Sequence, residues 1–184
     1  MKKFLIIAGI AVAALIVLVF ATKFMMNKQE KSLSPEEQIT FKDGELNIQV
    51  FYNRPFKKGR TIFGGLVPYG KVWRTGANEA TTIETNRDLS FDGKKLRKGK
   101  YSIWTIPDEE TWTIIFNGEY GQWGIGPSGE ANRDPHRDVL STSVHAVQSQ
   151  REFEQFTISF EKVGEEAEMV FIWDKTLVAV PFSY

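Results

Sequence analysis

The longest apolar run of the chain lies at its N-terminus. Residues 4–21, FLIIAGIAVAALIVLVFA, contain no charged residue and no proline. At about 1.5 Å per residue, a helix of about 18 residues spans roughly 27 Å, close to the hydrocarbon thickness of a bilayer. A cleavable signal peptide usually has a shorter apolar core of about 7–15 residues, although Val19 and Ala21 would suit a cleavage site. The pattern therefore predicts a transmembrane helix over residues 4–22, acting as a signal anchor or an uncleaved signal.

The orientation of this helix follows from the length of the tail before it. Two lysines precede the helix, and Lys23, Lys28 and Lys31 follow it, so the positive-inside rule favours neither direction. A tail of residues 1–3 favours the usual signal-anchor arrangement, with the tail in the cytoplasm. We therefore predict a single-pass protein of the cytoplasmic (inner) membrane whose folded part faces the periplasm.

Beyond residue 39 the pattern is that of short strands separated by turn residues. Residues 23–39 are polar and predict a linker. In residues 45–53, ELNIQVFYN, apolar and polar positions alternate with a period of two, as in a half-buried strand. Further segments of this kind are residues 80–86, 88–96, 98–107, 112–117, 138–147, 154–163 and 168–182.

Three short segments indicate where the chain turns and which strand is central. Asp92-Gly93 predicts a tight hairpin within residues 88–96, because both residues tolerate positive φ. WTIIFN, residues 112–117, is apolar on both faces, which is typical of a central strand. Asp174-Lys175 offers a turn in the last segment. With no helical stripe after residue 39, the sequence predicts one all-β domain over residues 40–184, an antiparallel β-sandwich or jelly-roll-like fold.

Charge and cysteine content remove several classes of function. Lys+Arg and Asp+Glu are both 23, so the formal net charge is zero, whereas nucleic-acid binders usually carry a basic excess. The chain has no cysteine, which excludes disulfides, a thiolate zinc site and a catalytic thiol. We predict no nucleic-acid partner and no cofactor.

Residues 69–82, YGKVWRTGANEATT, hold the densest set of groups that could bind a ligand. An indole offers a stacking face, while arginine, asparagine and glutamate offer directed donors and acceptors; the combination suits a sugar ring or a carboxylated peptide. Trp123 lies between glycines in the long loop of residues 117–138 and offers a second stacking face. The candidate ligand-binding residues are Tyr69, Trp73, Arg74, Asn78, Glu79 and Trp123.

The same stretch also suits a purely structural turn. Arg74 can pair with Glu79, Asn78 can close the turn through its side chain, and Trp73 can belong to the core. Such devices are common in proteins, so the structural interpretation is the simpler one. The sequence leaves both open.

The inventory for catalysis is thin. The chain has two histidines and none of the motifs G-x-S-x-G, S-x-x-K or H-E-x-x-H. Asp134, His136 and Asp138 could converge on a metal only if they lay on one face, and no second histidine is close in sequence. We therefore predict no catalytic and no metal-binding residue, with a hydrolase built around Glu79, aided by His136 or a metal, as an alternative.

Several stretches resemble one bacterial family. They are YNRPFKKGRTIFGGLVPYGKVWRTGANEATTI (residues 52–83), LRKGKYSIWTIP, WTIIFN, GQWG and EQFTISFE. Together they resemble the family known as domain of unknown function 2911 from residue 40 to the C-terminus, most specifically over residues 67–82. The resemblance implies an exported all-β domain of Gram-negative bacteria, commonly preceded by an anchor or export signal. It implies no known activity and no catalytic residues.

These observations combine into one expected function. We expect a membrane-anchored extracytoplasmic β-sandwich domain that binds an envelope glycan or peptide without catalysis, with the membrane as a partner through residues 4–22. Besides the hydrolase, the alternative is a structural or assembly module of an envelope complex, in which the candidate residues serve stability alone.

Overall fold

The computed structural model describes residues 14–22, 25 and 31–184. Residues 14–22 are helical, and the apolar side chains from Leu15 to Phe20 are exposed. No helix of these described residues is long and apolar enough to cross a membrane. The first part of the predicted transmembrane segment, residues 4–13, lies outside the described residues.

Ser34–Tyr184 forms a compact unit of its own. This unit contains nine strands and one 3-10 helix, and every strand pairing in it is antiparallel. The strands are β1 Glu36–Asp43, β2 Leu46–Asn53, β3 Thr82–Thr85, β4 Leu89–Phe91, β5 Lys94–Leu96, β6 Gly99–Ile106, β7 Thr111–Asn117, β8 Asp138–Val163 and β9 Glu166–Phe182, and the 3-10 helix is Pro135–Arg137. Seven of them form one sheet in the order β1-β2-β3-β6-β7-β8-β9, while β4 and β5 form a separate hairpin. The predicted all-β antiparallel class is confirmed.

The sheet curls back on itself. β2 and β8 are not neighbours in the sheet order, yet the end of β2 contacts the C-terminal half of β8. The amide of Ile158 donates to the hydroxyl of Tyr52 (3.1 Å), and the amide of Phe156 donates to the carbonyl of Pro55 (3.0 Å). The curl thus encloses the buried faces of both strands in one core.

β8 and β9 are longer than the sequence pattern predicted. The two predicted strands over residues 138–147 and 154–163 are a single strand, β8, whose pairing with β9 is irregular between Gln148 and Thr157. The predicted turn at Asp174-Lys175 is wrong, because β9 continues through it. Asp174 has a φ of 54° and pairs with Phe153 inside the irregular section, so the positive φ there bends the strand without reversing it.

β1 begins at Glu36, inside the segment for which the sequence suggested a linker. It is the edge strand of the sheet and pairs with β2, with Ile39 opposite Val50. Its residues alternate between exposed and half-buried. Because every second side chain of this strand is exposed, its sequence is polar enough to resemble a linker.

The local predictions for the hairpin and the central strand are confirmed. Asp92 and Gly93 have φ values of 49° and 72° and connect β4 to β5, as a tight hairpin requires. β7 lies between β6 and β8, and its last four residues are buried.

An aromatic cluster, here called the tryptophan cluster, extends from the core to the half-buried Trp73 and Phe63. It comprises Trp73, Trp112, Trp173, Phe63 and Phe156. Trp73 stacks on Trp173 at 6.0 Å with an angle of 17° between the rings, and it meets Phe156 edge to face at 5.0 Å. Aromatic pairs of this kind contribute about 0.5–1.5 kcal/mol each beyond the area that they bury, so the cluster fixes the residues on either side of Trp73.

Candidate functional site

A groove of about 640 Å³ opens beside the tryptophan cluster. Small-molecule sites usually have volumes of roughly 300–1,000 Å³, so the groove has the size of a ligand site. Two segments line it: residues 66–68 with 71–73, and residues 125–135 of the glycine-rich loop through positions 125, 129–131, 133 and 135. It is called the groove below.

The first lining segment is fixed to strand β6. The amide of Gly70 donates to the carbonyl of Pro107 (2.9 Å), and Trp73 and Thr105 exchange two backbone hydrogen bonds of 2.7 and 3.0 Å. Gly70 has a φ of 67°, a left-handed conformation that favours glycine. These bonds therefore hold the middle and the C-terminal end of the segment.

The glycine-rich loop is ordered by backbone pairing. The amide of Gly124 donates to the carbonyl of Asn78 (2.8 Å), and the amide of Ala80 donates to that of Gln122 (3.1 Å). Ile125 pairs with Ala131 to form a small hairpin. At the far end the side chain of Asn117, which is fully buried, donates to the carbonyl of Asp134 and to the carboxylate of Asp138, both at 2.8 Å. The second lining segment is thus held as firmly as the first.

The turn that follows the first lining segment, residues 74–79, contains two residues with strained backbone. Thr75 has a φ of 54° and Asn78 a φ of 56°. The left-handed conformation costs a residue other than glycine about 1–2 kcal/mol, and a β-branched residue such as threonine adopts it rarely. Thr75 is fully buried, and its carbonyl accepts a hydrogen bond of 2.6 Å from the hydroxyl of Thr81. Asparagine adopts the left-handed region more readily than threonine does, so the positive φ at Thr75 is the more unusual of the two.

Asn53 links this turn to strand β2. Its amide nitrogen donates to the carboxylate of Glu79 (3.0 Å), and its amide oxygen accepts from the side chain of Asn78 (3.2 Å). Asn53 is fully buried and Asn78 is 6% exposed. Gly76 passes so close that a Cβ atom there would lie 2.8 Å from the carbonyl oxygen of Asn53. We call Asn53, Asn78 and Glu79 the amide–carboxylate network.

Arg74 is half-buried and extends along the glycine-rich loop. Its guanidinium donates to the carbonyl of Asn78 (3.3 Å). A Cβ atom at Gly124 would lie 2.7 Å from Cβ and 2.9 Å from Cγ of Arg74. Gly124 is therefore required by the close approach of this side chain, which packs against the loop.

The three aromatic candidates occupy different environments. Trp73 is half-buried, lines the groove, and donates from its indole nitrogen to the carbonyl of Gly76 (3.0 Å). Tyr69 is 38% exposed; partial burial raises the pKa of its hydroxyl, as do the negative charges of Glu109 and Asp108. Trp123 is half-buried and pairs through its backbone with Glu79. Of the six predicted ligand-binding residues, Trp73 lines the groove and the other five do not.

The residues considered for a metal are engaged in the structure of the loop. The carboxylate of Asp134 accepts from the amide of His136 (2.9 Å), and His136 is exposed in the 3-10 helix. Asp138 pairs with Arg133 and accepts from Asn117. Within residues 14–22, 25 and 31–184, no three histidine, aspartate or glutamate side chains are placed to hold a metal ion together.

Sequence reasoning missed four residues that matter here. Asn53 completes the amide–carboxylate network, and three charged residues, Lys71, Glu130 and Arg133, line the groove. Lys71 lies within residues 69–82, but a lysine in a turn does not by itself indicate a ligand site. The partners of Asn53 lie far from it in sequence, and an isolated sequence does not indicate such long-range contacts.

Comparison with known families identifies the domain. Residues 34–182 match the family described as "Protein of unknown function (DUF2911)". The chain belongs to this family. No curated protein and no solved structure matches the chain. The DUF2911 match begins two residues before β1 and includes the groove, the strained turn and the amide–carboxylate network, so all three are features of the DUF2911 domain and not of the N-terminal segment.

Proposed function

We propose that this protein binds an envelope glycan or peptide, without catalysis, in the groove beside Trp73. The observation that carries the proposal is the groove itself: a cavity of about 640 Å³ lined by two segments that are both fixed by backbone hydrogen bonds. Preformed concave sites with mostly apolar linings and a few polar groups are typical of ligand binding.

The strained turn supports the same proposal. Left-handed residues other than glycine persist only where the surrounding structure imposes them, and they concentrate at functional sites. Here Thr75 and Asn78 lie in the turn that follows the first lining segment, and the carbonyl of Asn78 accepts from the amide of Gly124, next to the second. We propose that Trp73 contacts the ligand. The turn is held by Arg74, Asn78 and Glu79, and it is flanked by Tyr69 and Trp123.

A hydrolase centred on Glu79 has less support. One carboxylate oxygen of Glu79 accepts a hydrogen bond from the buried Asn53, and Glu79 does not line the groove. A general acid or base must reach the reacting group by a direct or water-mediated hydrogen bond. The structural alternative does account for Asn78 and Glu79, but it gives no reason for the groove.

A groove-filling substitution tests the binding proposal. Full-length protein, purified in a mild detergent, is incubated with an array of short peptides and oligosaccharides, and the best ligand is titrated by calorimetry. Ala131→Phe, in the groove, is expected to weaken binding at least tenfold, whereas Val147→Phe, on an exposed strand position, should leave it unchanged. Absence of any ligand on the array, or equal binding by Ala131→Phe, refutes the proposal.

We also propose that residues 4–22 anchor the chain in the inner membrane, and that the domain is a β-sandwich that faces the periplasm. The support is the uncharged run of residues 4–21, which is long enough for a bilayer span. In a Gram-negative host, the protein should sediment with inner membranes and be digested by protease added to spheroplasts. Recovery in the cytoplasmic fraction would contradict the anchor. Protection from the protease would contradict the orientation.

A further inference from the structure

We infer that the ligand of the groove is a short peptide with free amino and carboxyl termini, and not a sugar. This inference rests on the proposed function, because it requires the groove to be a ligand site.

The aromatic group argues against a sugar. A sugar ring stacks on the open face of an aromatic side chain, and Trp73 is the one aromatic residue among those that line the groove. One face of its indole is stacked on Trp173 at 6.0 Å, and Phe156 and Trp112 meet it edge to face at 5.0 and 6.2 Å. With one face covered by Trp173 and the ring half-buried, Trp73 offers a sugar at most one face, and a crowded one.

The apolar lining fits an aliphatic side chain. Leu66 is 47% exposed at the groove, and Val72 and Ile125 are half-buried there. Exposed apolar groups gathered at one concave place favour an apolar partner. A peptide with one aliphatic side chain would cover them.

Two of the charged residues that line the groove are of opposite sign and form no ion pair within the described residues. Lys71 and Glu130 are both exposed, and neither forms an ion pair within the part of the chain that the structure describes. Arg133, the third charged lining residue, is already neutralised by Asp138. One free cation and one free anion complement a zwitterion, with Lys71 binding the carboxylate and Glu130 binding the ammonium group. A neutral glycan can form hydrogen bonds with both side chains but neutralises neither charge.

The test varies the two termini of one peptide. The probes are tripeptides Ala-X-Ala, with X as alanine, valine, leucine or phenylalanine, each in four forms: free, C-amidated, N-acetylated and capped at both ends. Chitotriose is the glycan probe. Binding to the full-length protein in detergent is measured by calorimetry. We expect a free tripeptide to bind best, and each cap to weaken binding about fivefold, the size of an exposed ion pair.

Substitutions assign each terminus to one side chain. Lys71→Gln should abolish the penalty for amidation and leave the penalty for acetylation, and Glu130→Gln should do the reverse. Two matched controls, Lys175→Gln and Glu161→Gln, change exposed charges that do not line the groove and should preserve both penalties. This pattern separates specific recognition from the overall charge of the protein.

Each remaining outcome refutes a definite statement. The peptide inference is wrong if capped and free tripeptides bind the unsubstituted protein equally, or if chitotriose binds and the tripeptides do not. In either case the groove remains a ligand site, provided that Ala131→Phe abolishes the binding observed. If neither probe class binds, and the array described above also yields no ligand, the inference and the proposed function both fail.

Discussion

The amide–carboxylate network allows a quantitative prediction for Asn53→Ala. The substitution removes a fully buried side chain that makes two hydrogen bonds, to Asn78 at 3.2 Å and to the carboxylate of Glu79 at 3.0 Å. A bond between neutral groups contributes about 1 kcal/mol, and a bond to a charged group about 1.5–3 kcal/mol. Because Glu79 is half-buried and can recruit water, we take the lower end for the charged bond and expect a loss of about 2.5 kcal/mol in the free energy of unfolding.

Urea unfolding followed by tryptophan fluorescence measures this loss. With a denaturant slope of about 2 kcal/mol per molar urea, the midpoint should fall by about 1.2 M. The control is Gln38→Ala, which removes an exposed side-chain bond to Gln49 at 3.3 Å and should change the stability by less than about 0.5 kcal/mol.

A double-mutant cycle isolates the contact itself. If Asn53 and Glu79 interact as described, Asn53→Ala combined with Glu79→Ala should cost about 1.5 kcal/mol less than the sum of the single substitutions. A loss below about 1 kcal/mol for Asn53→Ala, or additive effects in the cycle, would show that the network does not stabilise the turn.

Three further predictions follow from other contacts. Gly124→Ala should reduce stability by about 1–3 kcal/mol in urea unfolding, because the new methyl group overlaps Arg74; an unchanged midpoint would mean that Arg74 does not pack there. Asn78→Ala should be about 1 kcal/mol less stable than Asn78→Gly, since both lose the same side-chain bond and only alanine is strained at a φ of 56°; equal midpoints would contradict the left-handed conformation. Hydrogen bonding to Lys162 lowers the pKa of Asp43, so this carboxylate stabilises the fold above its unfolded pKa of about 3.9, and the contribution is lost as the pH falls further. The urea midpoint of Asp43→Asn should therefore decline less between pH 5 and about 2.5 than that of the unsubstituted protein. Parallel declines would exclude the contact.

Local features of the fold were predictable, because their causes are close together in sequence. The Asp92-Gly93 hairpin and the central strand β7 are set by a dipeptide and by one apolar run. β1 was missed because an edge strand with half its side chains exposed is as polar as a tether. The two halves of β8 were predicted separately because Ser149–Glu152 is polar where the strand pairing is irregular.

The candidate site shows more clearly which features cannot be predicted from the sequence. The stretch around Trp73 was recognised, and Trp73 does line the groove. What the sequence could not indicate is that one face of the indole is covered by Trp173, which arrives from the last strand. Nor could it place Lys71 and Glu130 on one groove, because that depends on how a distant loop docks. Side-chain chemistry is visible in sequence, whereas the surroundings that decide its use come from tertiary contacts.

The long hairpin of β8 and β9 has a consequence for the order of folding. Its strands are joined by a two-residue turn, in which Gly164 has a φ of 63°, so its pairs nearest the turn close a very short loop and lose little chain entropy. The pairing of Tyr52 with Ile158, in contrast, closes a loop of more than a hundred residues. We expect amides near Phe160 and Met169 to gain protection first in pulsed hydrogen exchange during refolding, and those of β2 later; simultaneous protection would contradict a nucleus at the C-terminal hairpin. In a chain exported N-terminus first, the nucleus would then be the last part to emerge.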